Sequence, residues 1–351
     1  MKKLITARAL FTCLAIAAGF YACKKDHHDG FQFNVSQVNL VADTEGYNAA
    51  QIDTNLVNAW GMAVAPSGPI WVSANHAGVS TIYDNTGKTL RAPVTIPSAT
   101  AGQPGAPTGQ IFNSTTDFGG NKFIFAGEDG TIAAWSSGSA ATIVANRSSS
   151  DAVYKGITMA AVGSDNFLYV ANFKGGKIDV YDKNFNYVAD KPFADPDIPA
   201  GFGPFNIQNI EGKLYVTYAK LKGPDNEDDE AGPGNGFVDI FNPDGSLIQR
   251  FASHGSLNSP WGIALAPAGF ADAGPSILIG NFGDGKINVF DTNGSFKGQL
   301  RNNGKEIAIS GLWAIDFLKG KVAGGNPSDP LYFTAGPEDE SHGLFGYLKK
   351  Q

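Results

Sequence analysis

The chain has 351 residues, of which 42% are hydrophobic, and it contains 44 glycines and 19 prolines. Its formal net charge of −7 argues against a nucleic-acid partner, which would need a clustered basic face. The glycine and proline content, with 24 phenylalanines and 11 tyrosines, favours many short strands joined by tight turns. A chain of this length can fold as one all-β unit of the barrel or propeller kind.

Residues 1–22 are predicted to be a processing segment. Lys2 and Lys3 precede an apolar run that is too short for a membrane helix. Ala22 followed by Cys23 resembles the lipobox at which bacterial lipoproteins are cleaved and acylated. We therefore expect Cys23 to be lipidated and 23–32 to be a polar tether, with an ordinary signal peptide as the alternative. The expected location is the outer membrane or surface of a Gram-negative bacterium, with the periplasm or the medium as alternatives.

The chain has two cysteines, Cys13 and Cys23, and both lie in or directly after this segment. Residues 33–351 therefore have neither a disulfide nor a thiol nucleophile. A domain without disulfides must be stabilised by a large apolar core, and about 320 residues are enough to bury one.

A repeated unit decides the fold. The hairpin sequence "VANFKGGKIDVYD" at 170–182 returns as "IGNFGDGKINVFD" at 279–291. Each unit also begins with a glycine-like position at the start of an apolar strand, and these positions are spaced 47 to 56 residues apart. They are Gly61, Gly109, Gly156, Asn206, Gly262 and Ala314. Six units with four strand-sized segments each predict a six-bladed β-propeller over 33–351.

The sixth unit lacks a fourth strand, because the chain ends directly after "GLFGYLKK". The segment "FNVSQVNLVAD" at 33–43 is apolar at alternate positions near its end. We expect this segment to pair with the C-terminal strand, which would close the ring and remove an open sheet edge.

The repeated pattern resembles the NHL repeat. Segments such as "GFGPFNIQNIEGKLYVTYAK" and "LNSPWGIALAPAGF" are also similar to an uncharacterised family of secreted bacterial propellers, some of which carry a C-terminal PEP-CTERM sorting tail. The resemblance covers nearly all of 33–351. It implies a propeller fold and export, and it implies no catalytic residues.

One face of the predicted propeller collects the ionisable side chains. We call it the top face; it carries the loops between blades and the loops between the second and third strands of each blade. His76, His254 and His342 fall in such loops, as do Glu128 and Asp339. Two histidines with a carboxylate would suit Zn²⁺, and the carboxylate loops alone would suit Ca²⁺. The alternative is that the histidines are structural and the acidic loops, including 225–230, are merely solvated.

In several blades a bulky residue comes directly before the glycine-like position that begins the inner strand. Trp60, Trp261 and Trp313 form either inter-blade packing or an aromatic rim on which a ligand stacks. Lys155 occupies the same position in blade three and is either an anchor for an anionic ligand or a structural lysine.

The sequence contains no nucleophile-elbow, HExxH, P-loop or Rossmann motif. Two functional classes remain. The first is an extracytoplasmic module that binds a glycan, peptide or protein through its top face. The second is a metal-assisted hydrolase or lyase, similar to propeller lactonases and amidating lyases, with its site at the axial mouth. The sequence favours the first.

Overall fold

A computed structural model describes residues 33–66, 68–189, 191–270, 275–317 and 330–351. The predicted signal peptide, the acylation site and the tether lie outside these ranges. In the part of the chain that is described, no helix is long and apolar enough to cross a membrane.

The described residues form seven sheets, and six of them are arranged as the blades of a β-propeller, which confirms the predicted fold. Before the first blade lie β1 (Val35–Ala42) and β2 (Gln51–Ile52). Blade one, from the axis outward, consists of β3 (Ala59–Val64), β4 (Ile70–Ala74), β5 (Val79–Tyr83) and β6 (Val94–Thr95).

Blades two and three follow the same order. Blade two consists of β7 (Pro107–Phe112), β8 (Phe123–Gly127), β9 (Thr131–Trp135) and β10 (Thr142–Asn146). Blade three consists of β11 (Tyr154–Val162), β12 (Asp165–Asn172), β13 (Lys177–Tyr181) and β14 (Tyr187–Val188). Two short 3₁₀ turns lie at Phe118–Gly120 and Ser148–Ser150.

Blades four and five complete the regular part of the ring. Blade four consists of β15 (Phe202–Ile210), β16 (Lys213–Lys220), β17 (Gly236–Phe241) and β18 (Leu247–Ser253). Blade five consists of β19 (Pro260–Ala266), β20 (Ser276–Asn281), β21 (Ile287–Asp291) and β22 (Phe296–Gln299). A small hairpin of β23 (Arg301–Asn302) and β24 (Lys305–Glu306) follows.

The sixth blade joins the two ends of the chain. It consists of β25 (Leu312–Asp316), β26 (Leu331–Ala335) and β27 (Leu344–Lys350), with β1 as its fourth strand and the two-residue β2 at the outer edge. β1 runs antiparallel to β27, from Val35 opposite Lys350 to Ala42 opposite Leu344. The predicted closure of the ring by the N-terminal strand is therefore confirmed.

The glycines of the inner strands have a packing reason. A Cβ added to Gly109 would lie 2.8 Å from the backbone nitrogen of Ile157, and one added to Gly262 would lie 2.7 Å from the carbonyl oxygen of Trp313. Both atoms belong to the inner strand of the next blade, so the backbones meet without room for a side chain. The repeated glycine therefore marks the axis of the ring.

In blade four, two carboxyl groups contact the same arginine side chain. Asp239 of β17 is fully buried, and its Oδ1 lies 2.5 Å from Nε of Arg250, which also contacts Asp195. Burial raises the pKa of Asp239 to about 7, although the charge of Arg250 opposes the shift. The pKa of Asp195 is lowered, because hydrogen bonds and the Arg250 charge outweigh its partial burial. Asp195 therefore ionises first, and Asp239 keeps its proton to a higher pH than an ordinary aspartate does.

We predict that Asp239→Asn makes the protein less sensitive to alkaline pH. A carboxyl group whose folded-state pKa is raised stabilises the fold fully below its unfolded pKa of about 4, and this stabilisation is lost as the pH rises through 7. The asparagine variant cannot ionise, so its free energy of unfolding should fall by less between pH 5.5 and 8.5. The expected difference from wild type is about 2 kcal/mol, because only the part of the titration between pH 5.5 and 7 lies in this window. Urea melts at both pH values measure it, with the exposed Glu211→Gln as control; equal falls in all three proteins would contradict it.

Candidate functional site

The top half of the axis is filled by aromatic side chains. Trp60, Trp261 and Trp313 are 1%, 4% and 1% exposed. The rings of Trp60 and Trp313 stack with centroids 3.6 Å apart, Phe282 covers Trp313 at 3.9 Å, and Trp261 meets both tryptophans edge-on. These contacts are the inter-blade packing that the sequence left open. The ring faces cover one another, so ligand stacking on them stays a prediction without a contact to support it.

Above this aromatic plug, Lys155 and Glu128 form a buried ion pair. Nζ of Lys155 lies 2.5 Å from Oε1 of Glu128, and the lysine side chain is 3% exposed. Oε2 of Glu128 accepts a hydrogen bond from Nδ2 of Asn75 at 2.9 Å. Nζ also lies 5.1 Å from the ring centroid of Trp60, within cation–π range. The lysine is paired with a carboxylate, and binding of an anionic ligand to it stays a prediction.

The two members of this pair hold each other in the charged form. Burial favours a neutral Glu128, but the Lys155 charge and the hydrogen bonds from Lys155 and Asn75 outweigh it, so the pKa of Glu128 is lowered. Burial likewise favours a neutral Lys155, but Glu128 and then Asp228 and Glu340 outweigh it, so the pKa of Lys155 is raised. A full ammonium charge therefore lies at the axis.

Asn58 connects the plug to a second carboxyl group. Its Oδ1 accepts a hydrogen bond from Nε1 of Trp313 at 3.0 Å, and its Nδ2 donates to Oε2 of Glu340 at 2.5 Å. The same Nδ2 lies 3.4 Å from Nε2 of His76. Because Asn58 is fully buried, it fixes Glu340 and His76 at the axis. We call the group of Glu128, Lys155 and Glu340 the axial mouth.

An unusual turn delivers Glu340 to the axial mouth. Glu338, Asp339 and Glu340 have φ values of 55°, 52° and 66°, so three successive residues with side chains occupy the left-handed region. That conformation costs about 1 kcal/mol or more for each residue other than glycine. Burial raises the pKa of Glu340 to about 6, and the nearby charges of Glu128 and Asp228 add to the shift while Asn58 and Lys155 oppose it.

A cavity of about 510 Å³ opens beside Glu128, between the top loops of blades two, three and four. We call it the mouth pocket; its charged walls include Glu128, Asp151, Glu227 and Asp228. Lys174 bridges two of these walls, with Nζ 2.8 Å from Asp151 Oδ2 and 2.9 Å from Glu227 Oε1. Asp228 lies 3.8 Å from Nζ of Lys155, and its side chain is 74% exposed.

Among the other predicted metal ligands, the side chains of His254 and His342 contact groups outside the axial mouth. His342 pairs with Asp43 at 2.9 Å, and this hydrogen bond raises the pKa of His342. His254 approaches the carbonyl oxygen of Gly234 at 2.8 Å through Nδ1, and Asp339 is exposed to solvent.

Of the predicted metal ligands, the structure places His76 and Glu128 around the axial mouth. No three histidine, cysteine or acidic side chains of the described ranges are grouped as ligands for a metal ion. Binding of Ca²⁺ or Zn²⁺ stays a prediction, and Lys155 supplies a positive charge among the carboxylates.

Three residues of this site escaped the sequence reasoning. Asn58 lies in an unremarkable loop, and nothing in its neighbourhood signals a buried bridging amide. Glu340 was passed over for its neighbour Asp339, because the left-handed turn that selects between them has no sequence signature. Asn75 is not among the predicted site residues, because a repeat comparison within one sequence does not reveal that its side chain reaches the next blade.

The chain has relatives among viral proteins of unassigned function. It is 35% identical over 335 residues to uncharacterized protein L690 of Acanthamoeba polyphaga mimivirus, covering 90% of this chain and 86% of that protein. It is also 32% identical over 330 residues to uncharacterized protein R648 of the same virus, covering 90% and 80%. The chain belongs to the family of these mimivirus proteins. No family model matches it. The expected kinship with secreted bacterial propellers carrying sorting tails has no support from these viral relatives.

Solved structures agree on the fold. A streptogramin B lyase superimposes with a TM-score of 0.52 at 13% identity, covering 90% of this chain and 97% of the lyase. A catalytically inactive virginiamycin B lyase from Staphylococcus aureus with quinupristin gives 0.51 at 12% identity, covering 91% and 99%. A protein of unknown function from Bacteroides thetaiotaomicron gives 0.55 at 11% identity, covering 90% and 76%. Identities this low establish a shared fold and nothing about chemistry.

Proposed function

We propose that this propeller is a binding module whose ligand enters the mouth pocket on the top face. The observation that carries the proposal is the buried Lys155–Glu128 pair at the edge of that pocket. Removing two charges from water costs several kcal/mol for each ion, and a packed apolar pair would hold the blades together as well. Buried charges beside a concave opening are typical of binding sites.

The ligand expected from the size and polarity of the pocket is a sugar unit, a short peptide segment or a protein loop. A thermal-shift screen with monosaccharides, oligosaccharides and short peptides of all charge types tests the proposal. Ligands that stabilise wild type should lose their effect in Asp228→Asn and Glu340→Gln and keep it in Glu211→Gln on the opposite face. If the two top-face variants are stabilised by these ligands as strongly as wild type, the binding surface lies elsewhere.

We also propose that the protein is a lipoprotein outside the cytoplasm, anchored through Cys23. The support is the short apolar run that ends at Ala22 and Cys23. Cys23→Ser should abolish fatty-acid labelling and release the protein from the membrane fraction of an expressing Gram-negative bacterium. Membrane association that persists in the serine variant would contradict the anchor, and an N-terminus other than residue 23 would indicate a different cleavage.

A lyase is the second candidate. Two groups able to transfer protons, His76 and Glu340, flank Asn58 at the axial mouth, and the fold is shared with a streptogramin B lyase. Incubation with quinupristin, followed by chromatography with and without added divalent metal, tests this candidate. Turnover that is lost in Glu340→Gln and His76→Ala would favour it; no turnover under any condition would leave the binding module.

A further inference from the structure

We propose that the rim between blades five and six docks on an anionic membrane surface, so that the mouth pocket is presented on the side away from the lipid. The rim is the outer surface that the outermost strands of the blades form. The inference rests on the lipid anchor proposed at Cys23 and adds the protein surface that contacts the membrane. Its partner is a layer of lipid headgroups with a net negative charge.

The chain enters the domain at this part of the rim. The carbonyl oxygen of Phe33 accepts a hydrogen bond from the backbone nitrogen of Arg301 at 2.8 Å. A Cβ added to Gly298 would lie 3.1 Å from Cε2 of Phe33. Gly298 belongs to β22 of blade five and Arg301 to the hairpin after it, whereas β1 is a strand of blade six. The predicted tether therefore reaches the domain where these two blades meet.

The length of the tether keeps this part of the rim close to the anchor. The tether comprises residues 23–32, and ten extended residues reach at most about 35 Å. The mouth pocket opens between the top loops of blades two, three and four. In a six-bladed ring, blades two and three lie across the axis from the junction of blades five and six. The anchor thus holds the rim, and not the pocket, near the lipid.

Cationic side chains flank the point of entry. We call them the rim cluster: Arg301, Lys305 and Lys349. The first two lie in the β23–β24 hairpin, and the third lies in β27, which pairs with β1. Lys305 and Lys349 are exposed and form no ion pair within the described ranges. The carboxylate of Glu306 is shared between Arg301 and Lys286, at 3.6 and 2.9 Å, so the cluster keeps a net positive charge.

The mouth pocket has the opposite charge. Five carboxylates line it, those of Glu128, Asp129, Asp151, Glu227 and Asp228. Two ammonium groups pair with members of this set, which leaves the pocket negative. An anionic membrane attracts lysine and arginine side chains near its surface and repels carboxylates. Attraction of the rim cluster and repulsion of the pocket therefore favour the same orientation.

An exposed aromatic side chain adds to this surface. Phe296 lies at the start of β22, two residues from Gly298, and is 49% exposed. Its ring meets that of Phe290 edge-on, with centroids 5.5 Å apart. Apolar side chains beside lysine and arginine strengthen binding to headgroups, because burial in the interface adds to the electrostatic attraction.

Fluorescence quenching in vesicles tests the orientation. Residues 24–351 contain no cysteine, so a cysteine introduced into the lipidated protein is its only free thiol and can carry a fluorophore. Gln351→Cys places the fluorophore at the rim, because the backbone nitrogen of Gln351 donates to Asn34 at 3.3 Å. Ala101→Cys places it in an exposed loop between blades one and two, beside the pocket. The vesicles are phosphatidylcholine with about 30% phosphatidylglycerol, and some headgroups carry a nitroxide quencher.

We expect quenching at position 351 to be about threefold stronger than at position 101. Lys305→Gln combined with Lys349→Gln should reduce quenching at position 351 about twofold, and raised salt should do the same, because it screens the attraction. Lys122→Gln combined with Lys222→Gln is the matched control. It removes the same charge from exposed positions of blades two and four and should leave the quenching unchanged.

Failure of the orientation differs from failure of the anchor. Protein that floats with the vesicles but is quenched equally at both positions, or more strongly at position 101, overturns the orientation and leaves the anchor intact. Quenching that is the same in the rim-cluster variant and its control overturns the role of the rim cluster. Protein that does not float with the vesicles refutes the anchor, and the orientation falls with it. The binding-module proposal depends on the thermal-shift screen and is unaffected by any of these results.

Discussion

A protein that lacks residues 33–43 is expected to aggregate or to melt at a much lower temperature than the full chain. Four large apolar side chains of this segment, those of Phe33, Val35, Leu40 and Val41, are at most 5% exposed. Burial of each contributes roughly 2 kcal/mol, so the deletion removes about 8 kcal/mol, comparable with the whole stability of a typical domain. It also leaves β27 as an open edge that can pair with other molecules.

A point variant separates the loss of β1 from the general effect of shortening the chain. Val41→Lys places a charge at a fully buried position of β1 and should cost at least about 3 kcal/mol. Gln37→Lys introduces the same charge in the same strand at a half-exposed position and should be nearly neutral. Thermal melting and size-exclusion chromatography of the three proteins are the measurements. Deletion and Val41→Lys proteins that melt like wild type would show that the strand does not close the ring in solution.

The second large effect is expected for Lys155→Met. Methionine keeps most of the volume of lysine and removes the charge, so Glu128, whose side chain is 29% exposed, is left without its counter-ion. Loss of one partner of a buried pair typically costs about 3 kcal/mol. The variant should also become sensitive to pH. In the wild type the Lys155 charge is the main cause that lowers the pKa of Glu128, and burial opposes it, so this pKa would rise once the charge is gone.

The double variant Lys155→Met/Glu128→Gln provides the control. It removes both charges and keeps a side-chain amide beside Asn75, so most of the lost stability should return. Denaturant melts of wild type, both single variants and the double variant give the coupling energy. A double variant that loses the sum of the two single losses would mean that the pair contributes nothing and that each residue acts through other contacts.

The fold could be predicted from the sequence because each blade is encoded by a copy of the same sequence pattern. The glycines at Gly61, Gly109 and Gly262 stand where neighbouring inner strands approach closely, and no other residue fits there. Glycine recurs at this position in four of the six units and leaves a visible period. The closing strand was also predictable, since β27 had no outer partner in its own unit and the segment before the first unit was apolar at alternate positions.

The candidate site could be predicted only in part, because its contacts are not repeated. Glu128 and Lys155 were identified by their places in the unit, yet their pairing depends on the rotation between two blades. Asn58 and Glu340 lie 282 residues apart in the chain and meet through a left-handed turn. The three histidines were predicted on one face, but they are not grouped as metal ligands in the described residues, since a propeller face is much wider than the distance over which ligands can share one metal ion.

The pairing of β1 with β27 also constrains how the protein is made. The first strand of the domain cannot pair until the last strand has been synthesised, since Val35 lies opposite Lys350. During translation the ribosome releases five blades before the sixth can be assembled, and the early strand remains without its partner for that whole period. Pairing between such distant segments is intrinsically slow and leaves the nascent chain prone to association. Ring closure should therefore be the final step in the folding of this protein.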